Sequence, residues 1–307
     1  MKLKIIGVIK PPIIGNKLYK LGACCLEEYN QIDANKYKVK IISSIRDETN
    51  RSELISIKFD LDLHNKIIQS IAINTTPIIS LGKIGTFDRD GMTYPWILKD
   101  EDLTYLFYTG WKRTTETRFE NNLGLLKKED ASWVRVSKAP ILPLDNDNYL
   151  GTGSVSVYKE IDESMEMRFR MLFTSFRKWA IKEDKVSHRY NIREITSDNI
   201  TTWNNKSRLL ISNKIGYESI CRPIIHKEKI IFSCRNDDHY ELFFAAHIPN
   251  ASITESTKIH LIETENNEFQ GFKSKEYLYA FDIGVQSIFL FNGDGYGATG
   301  IAVAILI

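Results

Sequence analysis

YPWILKD (Tyr94–Asp100), LTYLFYTGW (Leu103–Trp111), NNLGLLKKED (Asn121–Asp130) and SWVRVS (Ser132–Ser137) follow one another with short polar gaps. Each is rich in aromatic or β-branched residues, and each is bounded by turn formers, the pattern of a strand. Together they read as a four-strand antiparallel meander. The unit recurs. SVSVYKE, EMRFRMLFTSF, HRYNIREITSD and ITTWNN give the next meander, between Ser154 and Asn205. CRPIIHKE, KIIFSCRND and YELFFAAH begin another at Cys221, and EYLYAFDI, VQSIFLFNG and GIAVAILI begin the last at Glu276. A longer first unit fits between Asn16 and Gly82, with LYKLGACCLEE, KYKVKIISSI, LISIKFDLD and TTPIISL as its strands. Phe107, Phe173, Phe232 and Phe289 mark the second strand of four units, at a period of roughly 60 residues, the regular recurrence of a repeat fold.

Five meanders at a near-fixed period predict an all-β fold, a five-bladed β-propeller forming one domain over residues 1–307. The last unit has three strands, and LKIIGVI at the N-terminus belongs to no unit. The segment Lys4–Val8 is therefore expected to pair with Ile301–Ile305 and close the last blade, covering an exposed edge. A β-sandwich uses similar strands but does not predict the four-strand recurrence.

Composition narrows the function. The 307 residues are 43% hydrophobic and 26% charged, with a net charge of +2. That suits a globular protein and gives no field for nucleic acid. No apolar run approaches a membrane span. MKLKIIGVIKPPIIG has too short an apolar core for a signal peptide, which predicts a cytoplasmic protein. Cys24 and Cys25 are adjacent and Cys221 and Cys234 are remote, so neither a zinc site nor a disulfide framework is indicated. The histidines show no metal-ligand spacing, and no metal or cofactor is expected. GYGATG (Gly295–Gly300) satisfies G-x-G-x-x-G, but too few residues follow it here for a βαβ unit, so it reads as a tight turn.

In a propeller the first strand of each blade lines the axis, so residues at its entry converge. Asp88 in GTFDRDGMTYP, Glu218 in YESICRP and Glu276 in SKEYLYAF hold equivalent positions. Converging carboxyls are what glycoside chemistry needs, one giving a proton to the leaving oxygen and another activating water or attacking the sugar. Each acid is as readily a turn residue or strand cap. Asp90 competes with Asp88 for the same role. Trp111 and Tyr296 are candidate stacking platforms for a sugar ring, with core packing the alternative. Asp294 shares the loop of Tyr296. Arg222 and Arg235 suit hydroxyl, carboxylate or phosphate binding, or ion pairs to the acids. If the strand extends back to Glu218, period-2 alternation would place Glu218 and Arg222 on one face.

GTFDRDGMTYP, YLFYTGW and NLGLL, followed in order by RYNIREITSDNITTW, ESICRPII, IFSCR and FLFNGDGYGATGIAVAIL, resemble the five-bladed glycosidase superfamily. Its groups include arabinanases and xylosidases, invertases and levansucrases, and mannoside phosphorylases. The resemblance covers about residues 80–307. It implies an axial carboxylate pocket, with Asp88 matching the Asp that opens a blade, Glu218 the Glu that often serves as general acid, and Glu276 an acidic position of the last blade. YLGTGSVSV (Tyr149–Val157) departs from it, lacking an acid where many relatives keep one; Asp145 and Asp147 lie upstream. The function expected is action on a glycosidic bond by hydrolysis, phosphorolysis or glycosyl transfer, with a carbohydrate or activated sugar as ligand. A non-catalytic glycan-binding propeller is the alternative.

Overall fold

The aromatic and β-branched runs that mark strands in the sequence are strands in the computed structural model, many of them buried along nearly their whole length, as in Lys229–Asn236 and Ile301–Leu306. The structure describes residues 1–161, 165–182, 185–212, 217–236, 239–248, 251–261, 269 and 271–307. Four meanders run in chain order, each strand pairing antiparallel with the next. The first comprises Lys20–Asp33, Lys36–Arg46, Ser52–Asp62 and Ile67–Asn74. The second comprises Gly91–Asp100, Leu103–Arg113, Phe119–Glu129 and Ser132–Arg135. Thr152–Ile161, Met167–Lys182, Lys185–Ser197 and Arg208–Ile211 form the third. Ser219–His226, Lys229–Asn236, His239–Ala246 and Thr257–Lys258 form the fourth.

The fifth sheet joins the two ends of the sequence. Glu276–Ile283, Gln286–Asn292 and Ile301–Leu306 are followed by Lys2–Ile9, which pairs antiparallel with the last of them from Leu3↔Leu306 to Ile9↔Ile301. His260–Leu261 adds a short parallel pairing outside Lys2–Ile9.

Two sequence expectations need correction. TTPIISL is not a strand; Ile67–Asn74 takes the fourth place of the first meander, and the backbone N–H of Ile78 bonds Leu54 O instead. ITTWNN is a turn, and Arg208–Ile211 takes that place in the third meander. Its Trp203 is 1% exposed and bonds Ile200 O through Nε1, so the apolar residues plug the core from a loop.

Phe107, Phe173, Phe232 and Phe289 are each 0% exposed, at matching places in the second strands. The first strand of each meander packs against that of the next, and Glu276–Ile283 packs against Lys20–Asp33. Polar side chains stitch these seams. Ser44 meets Thr93 at 3.1 Å, Trp96 donates to Val157 O at 2.9 Å, and Ser156 donates to Pro223 O at 2.8 Å. His226 meets Ser287 at 3.0 Å, and Asn292 donates to Leu21 O at 2.6 Å.

All five first strands carry a register shift, between Leu21 and Cys24, Thr93 and Trp96, Gly153 and Val155, Cys221 and Ile224, and Glu276 and Tyr279. Three of these shifts hold a bulky residue in the left-handed region, Tyr94 at φ 51°, Arg222 at φ 57° and Tyr277 at φ 55°. Bulges of this kind re-aim a side chain.

The GYGATG turn lies against the first meander. Gly297 has φ +89°, and a Cβ there would stand 1.8 Å from Leu21 O. Gly297→Ala should therefore lower stability by at least about 1–3 kcal/mol from backbone strain alone, read as a fall in the urea midpoint at unchanged slope.

Candidate functional site

The three left-handed residues meet. The Arg222 guanidinium lies 3.8 Å from the ring centre of Tyr277, 4.8 Å from that of Tyr240 and 5.2 Å from that of Tyr94, and its Nη2 donates to the Tyr94 hydroxyl at 3.1 Å. Its backbone N–H donates to Thr174 Oγ1 of the third meander. Above this cluster opens a cavity of about 410 Å³, walled by Tyr94, Trp111, Phe119, Tyr190, Tyr240, Tyr277 and Tyr296. All five arginines of its lining, Arg46, Arg113, Arg118, Arg222 and Arg235, carry charge, and among the described residues no aspartate or glutamate lines it.

Arg222 and Arg235 are 6% and 4% exposed. Burial opposes the charge of each guanidinium, yet both stay cationic, as an arginine does throughout the physiological range. Arg235 donates to His188 O, to Ser219 Oγ at 3.2 Å and, through Nη1, to His188 Nε2 at 3.1 Å. His188 is pushed down to about 3 by burial and by the charge of Arg235, so it is neutral; with Nε2 accepting, its proton sits on Nδ1. Three nitrogens here, Arg222 Nη1, Arg235 Nε and His188 Nδ1, are buried without a partner.

Glu276 begins the strand that delivers Tyr277. It is 1% exposed; Oε1 accepts from Ser274 Oγ at 3.3 Å, the backbone N–H of Tyr296 also bonds the carboxyl, and Oε2 has no partner. Burial pushes it up to about 7, against the opposing charge of Arg222. A carboxyl so held is partly protonated near neutrality and can give or take a proton.

The other sequence candidates divide. Trp111, Arg222, Arg235 and Tyr296 line the cavity. Trp111 is anchored by Nε1 donating to Ser52 Oγ at 2.8 Å. Asp88, Asp90, Glu218 and Asp294 are not among its lining residues. Asp88 is 1% exposed and accepts from Tyr108 at 3.0 Å, Thr86 at 2.9 Å and Arg135 Nε at 2.9 Å, tying the loop before the second meander to that meander's outer strand. Asp90 accepts from the Arg113 N–H at 2.8 Å and Arg89 Nε at 3.0 Å, and so sets the backbone that carries Arg113. Glu218 pairs with Arg189, and Asp294 accepts from the Ser274 N–H at 2.6 Å. The strand begins at Ser219 and shifts register after Cys221, so the condition for placing Glu218 and Arg222 on one face is not met. Sequence reasoning missed Tyr94, Tyr190, Tyr240, Tyr277 and His188. A usable signal existed for the first: Tyr94-Pro95 and Arg222-Pro223 sit at the same place in their strands, and proline in a strand marks a bulge or an edge.

No protein-family model matches the chain. Two proteins of Mycobacterium tuberculosis, the uncharacterized proteins Rv1502 (strain ATCC 25618 / H37Rv) and MT1551 (strain CDC 1551 / Oshkosh), are 26% identical over 272 residues, 87% of this chain and 87% of each of them. Among solved structures, a glycosyl hydrolase from Bacteroides ovatus aligns with a TM-score of 0.62 at 13% identity, over 94% of this chain and 84% of that one. A structure from the GH130 family of mannoside phosphorylases, which contains glycoside hydrolases targeting β-1,2-mannosidic linkages, aligns with a TM-score of 0.62 at 13% identity, over 97% and 90%. The chain thus shares the fold of glycoside hydrolases, the superfamily its motifs resemble.

Two outcomes are expected. Asp88→Asn removes the charge facing Arg135 and should cost about 3 kcal/mol of stability, seen in chemical denaturation. For Glu276 the folded pKa lies above the ordinary 4.5. Its neutral form is the one folding favours, so its contribution is full below about pH 4.5 and is lost as pH rises through about 7. Glu276→Gln should flatten that part of the Tm-against-pH curve.

Proposed function

We propose that the five meanders are the blades of one five-bladed β-propeller spanning residues 1–307, and that its axial cavity binds a carbohydrate and acts on a glycosidic bond. The cyclic packing of the first strands and the pairing of Lys2–Ile9 with Ile301–Leu306 support the propeller. The observation that carries the reading of the site is the triple delivery of Tyr94, Arg222 and Tyr277, from three strands with matching bulges, to one aromatic cavity beside a buried carboxyl. Sugars present apolar C–H faces to aromatic rings and hydroxyls to polar edges, and this cavity offers both. The fold neighbours point the same way: one structure holds a family 43 enzyme of Xanthomonas citri with xylotriose.

Glu276 is the acid–base group of this proposal. Glu276 does not itself line the cavity, so in this proposal its carboxylic acid gives a proton through one bridging water to the leaving glycosidic oxygen as the C–O bond breaks, and the resulting carboxylate takes a proton back by the same route from the incoming water or acceptor hydroxyl. Arg222 stabilises the anionic form between the two transfers. Trp111 and Tyr296 are the stacking walls. Neither Asp88 nor Glu218 takes part, since each is held by an arginine outside the cavity. That same fact favours a second reading, a glycan-binding propeller without catalysis.

Glu276→Gln separates the two. Turnover of a panel of natural disaccharides and glycosyl phosphates should fall by about 10²–10⁴-fold, while ligand-induced thermal stabilisation persists. A wild-type protein that binds members of the panel but turns none over would leave the binding module.

A further inference from the structure

The charge of the cavity is one-sided. Five arginines line it and, among the described residues, no carboxylate does. The two deepest, Arg222 and Arg235, have no ion-pair partner among the described residues; their neighbours are tyrosine rings, hydroxyls, a backbone carbonyl and the neutral His188. A buried guanidinium is normally paired, because losing water without gaining a counter-charge is costly. Elsewhere this chain obeys that rule: Arg170 is nearly as buried and is clasped by Glu160 and Glu194. At the cavity no acid pairs with either guanidinium among the described residues; Glu276, which feels the charge of Arg222, is pushed up to about 7 by burial and does not line the cavity, and Arg222 Nη1, Arg235 Nε and His188 Nδ1 remain as unbonded nitrogens.

We infer that the cavity takes a saccharide carrying a phosphoryl group, a class of ligand that rests on the carbohydrate reading above. A carboxylate would balance one of the two buried charges. A phosphoryl group carries close to two negative charges and three terminal oxygens, which suits two guanidinium groups and a neighbouring N–H donor. The tyrosines fix the arginines without neutralising them. Tyr277 at 3.8 Å and Tyr240 at 4.8 Å hold the Arg222 guanidinium by its faces, leaving its charge to a ligand. Arg113 and Arg118 are exposed and Arg46 half-buried, so an approaching anion meets positive charge before it reaches the buried pair.

The test is calorimetric titration of the full chain with hexose 1-phosphates of gluco, galacto and manno configuration, the matching hexuronates, the uncharged methyl hexosides, and inorganic phosphate. At least one hexose phosphate should bind at least about tenfold more tightly than its methyl hexoside and its hexuronate, and less tightly as salt rises. Arg222→Gln should abolish that preference. Should that variant fail to fold, Arg118→Gln at the exposed rim should still weaken the hexose phosphate severalfold and spare the methyl hexoside. Equal binding of hexose phosphate and methyl hexoside overturns the inference and leaves the carbohydrate reading intact. Preference for the hexuronate overturns the phosphoryl assignment. Inorganic phosphate binding as tightly as every hexose phosphate keeps the anion site but sinks the sugar. Binding of none of these ligands sinks the anion pocket.

Discussion

Tyr94, Arg222 and Tyr277 adopt a backbone conformation that L side chains of their size avoid, at a cost of about 1–3 kcal/mol each. Such strain persists only where the surroundings over-determine it. Here the surroundings are the seams. The strained N–H of Arg222 is taken by Thr174 of the preceding meander, whose hydroxyl also meets Ser154 on that meander's first strand. The residue after Arg222 is a proline, which has no N–H to leave unpaired at the irregular point, and its carbonyl accepts from Ser156. Tyr94 is likewise followed by Pro95, and Thr93 beside it meets Ser44 of the first meander. The bulge that aims a side chain at the cavity is thus also the point at which neighbouring sheets are tied. Site and scaffold rest on one constraint, and a substitution that relaxed the bulge would loosen both.

The same geometry explains the charge of the cavity. A net charge of +2 hides a strong separation. The acids are consumed in structural pairs: Asp88 with Arg135, Glu218 with Arg189, Glu194 with Arg170 and Arg208. Among the described residues the arginines that line the cavity form no such ion pairs. What lines the cavity is cationic and aromatic; the carboxyl of Glu276, coupled to Arg222 and bonded by the Tyr296 N–H, is not among the lining residues.

Much of the fold was legible in the sequence because its strands are aromatic and β-branched runs bounded by turns, and their buried phenylalanines recur. The outer strands were less so. Arg208–Ile211 has four residues and Thr257–Lys258 two, too few for alternation to register, whereas TTPIISL and ITTWNN carry strand-like composition but serve as plugs and turns. At the site, sequence position was a poorer guide. Equivalent places before the first strands supplied the entry acids, the face shared by Glu218 and Arg222 needed a strand reaching Glu218 whereas it begins at Ser219, and Tyr94 and Tyr277, which the register shifts carry, were not singled out. Trp111, Arg222, Arg235 and Tyr296 line the cavity all the same. A glycosidase-like strand order therefore does not carry a glycosidase-like charge pattern with it; the bulged positions decide what the cavity presents.

Glu276 shows how tightly these terms are coupled. Its carboxylate is disfavoured by burial and favoured by Arg222, and the balance leaves it near neutrality. An anion bound to Arg222 would spend part of that favourable field and add its own negative charge nearby. Both effects move Glu276 toward its protonated form. By reciprocity, the protonated acid would hold the anion more tightly than the carboxylate does. A phosphorylated sugar would thus bring the proton donor into its active state by occupying the cavity, and the departure of the anion would return Arg222 to the task of stabilising the carboxylate. In a pocket without a buried arginine the link is weaker, because there a bound anion acts on the acid only through its own charge and spends no favourable field.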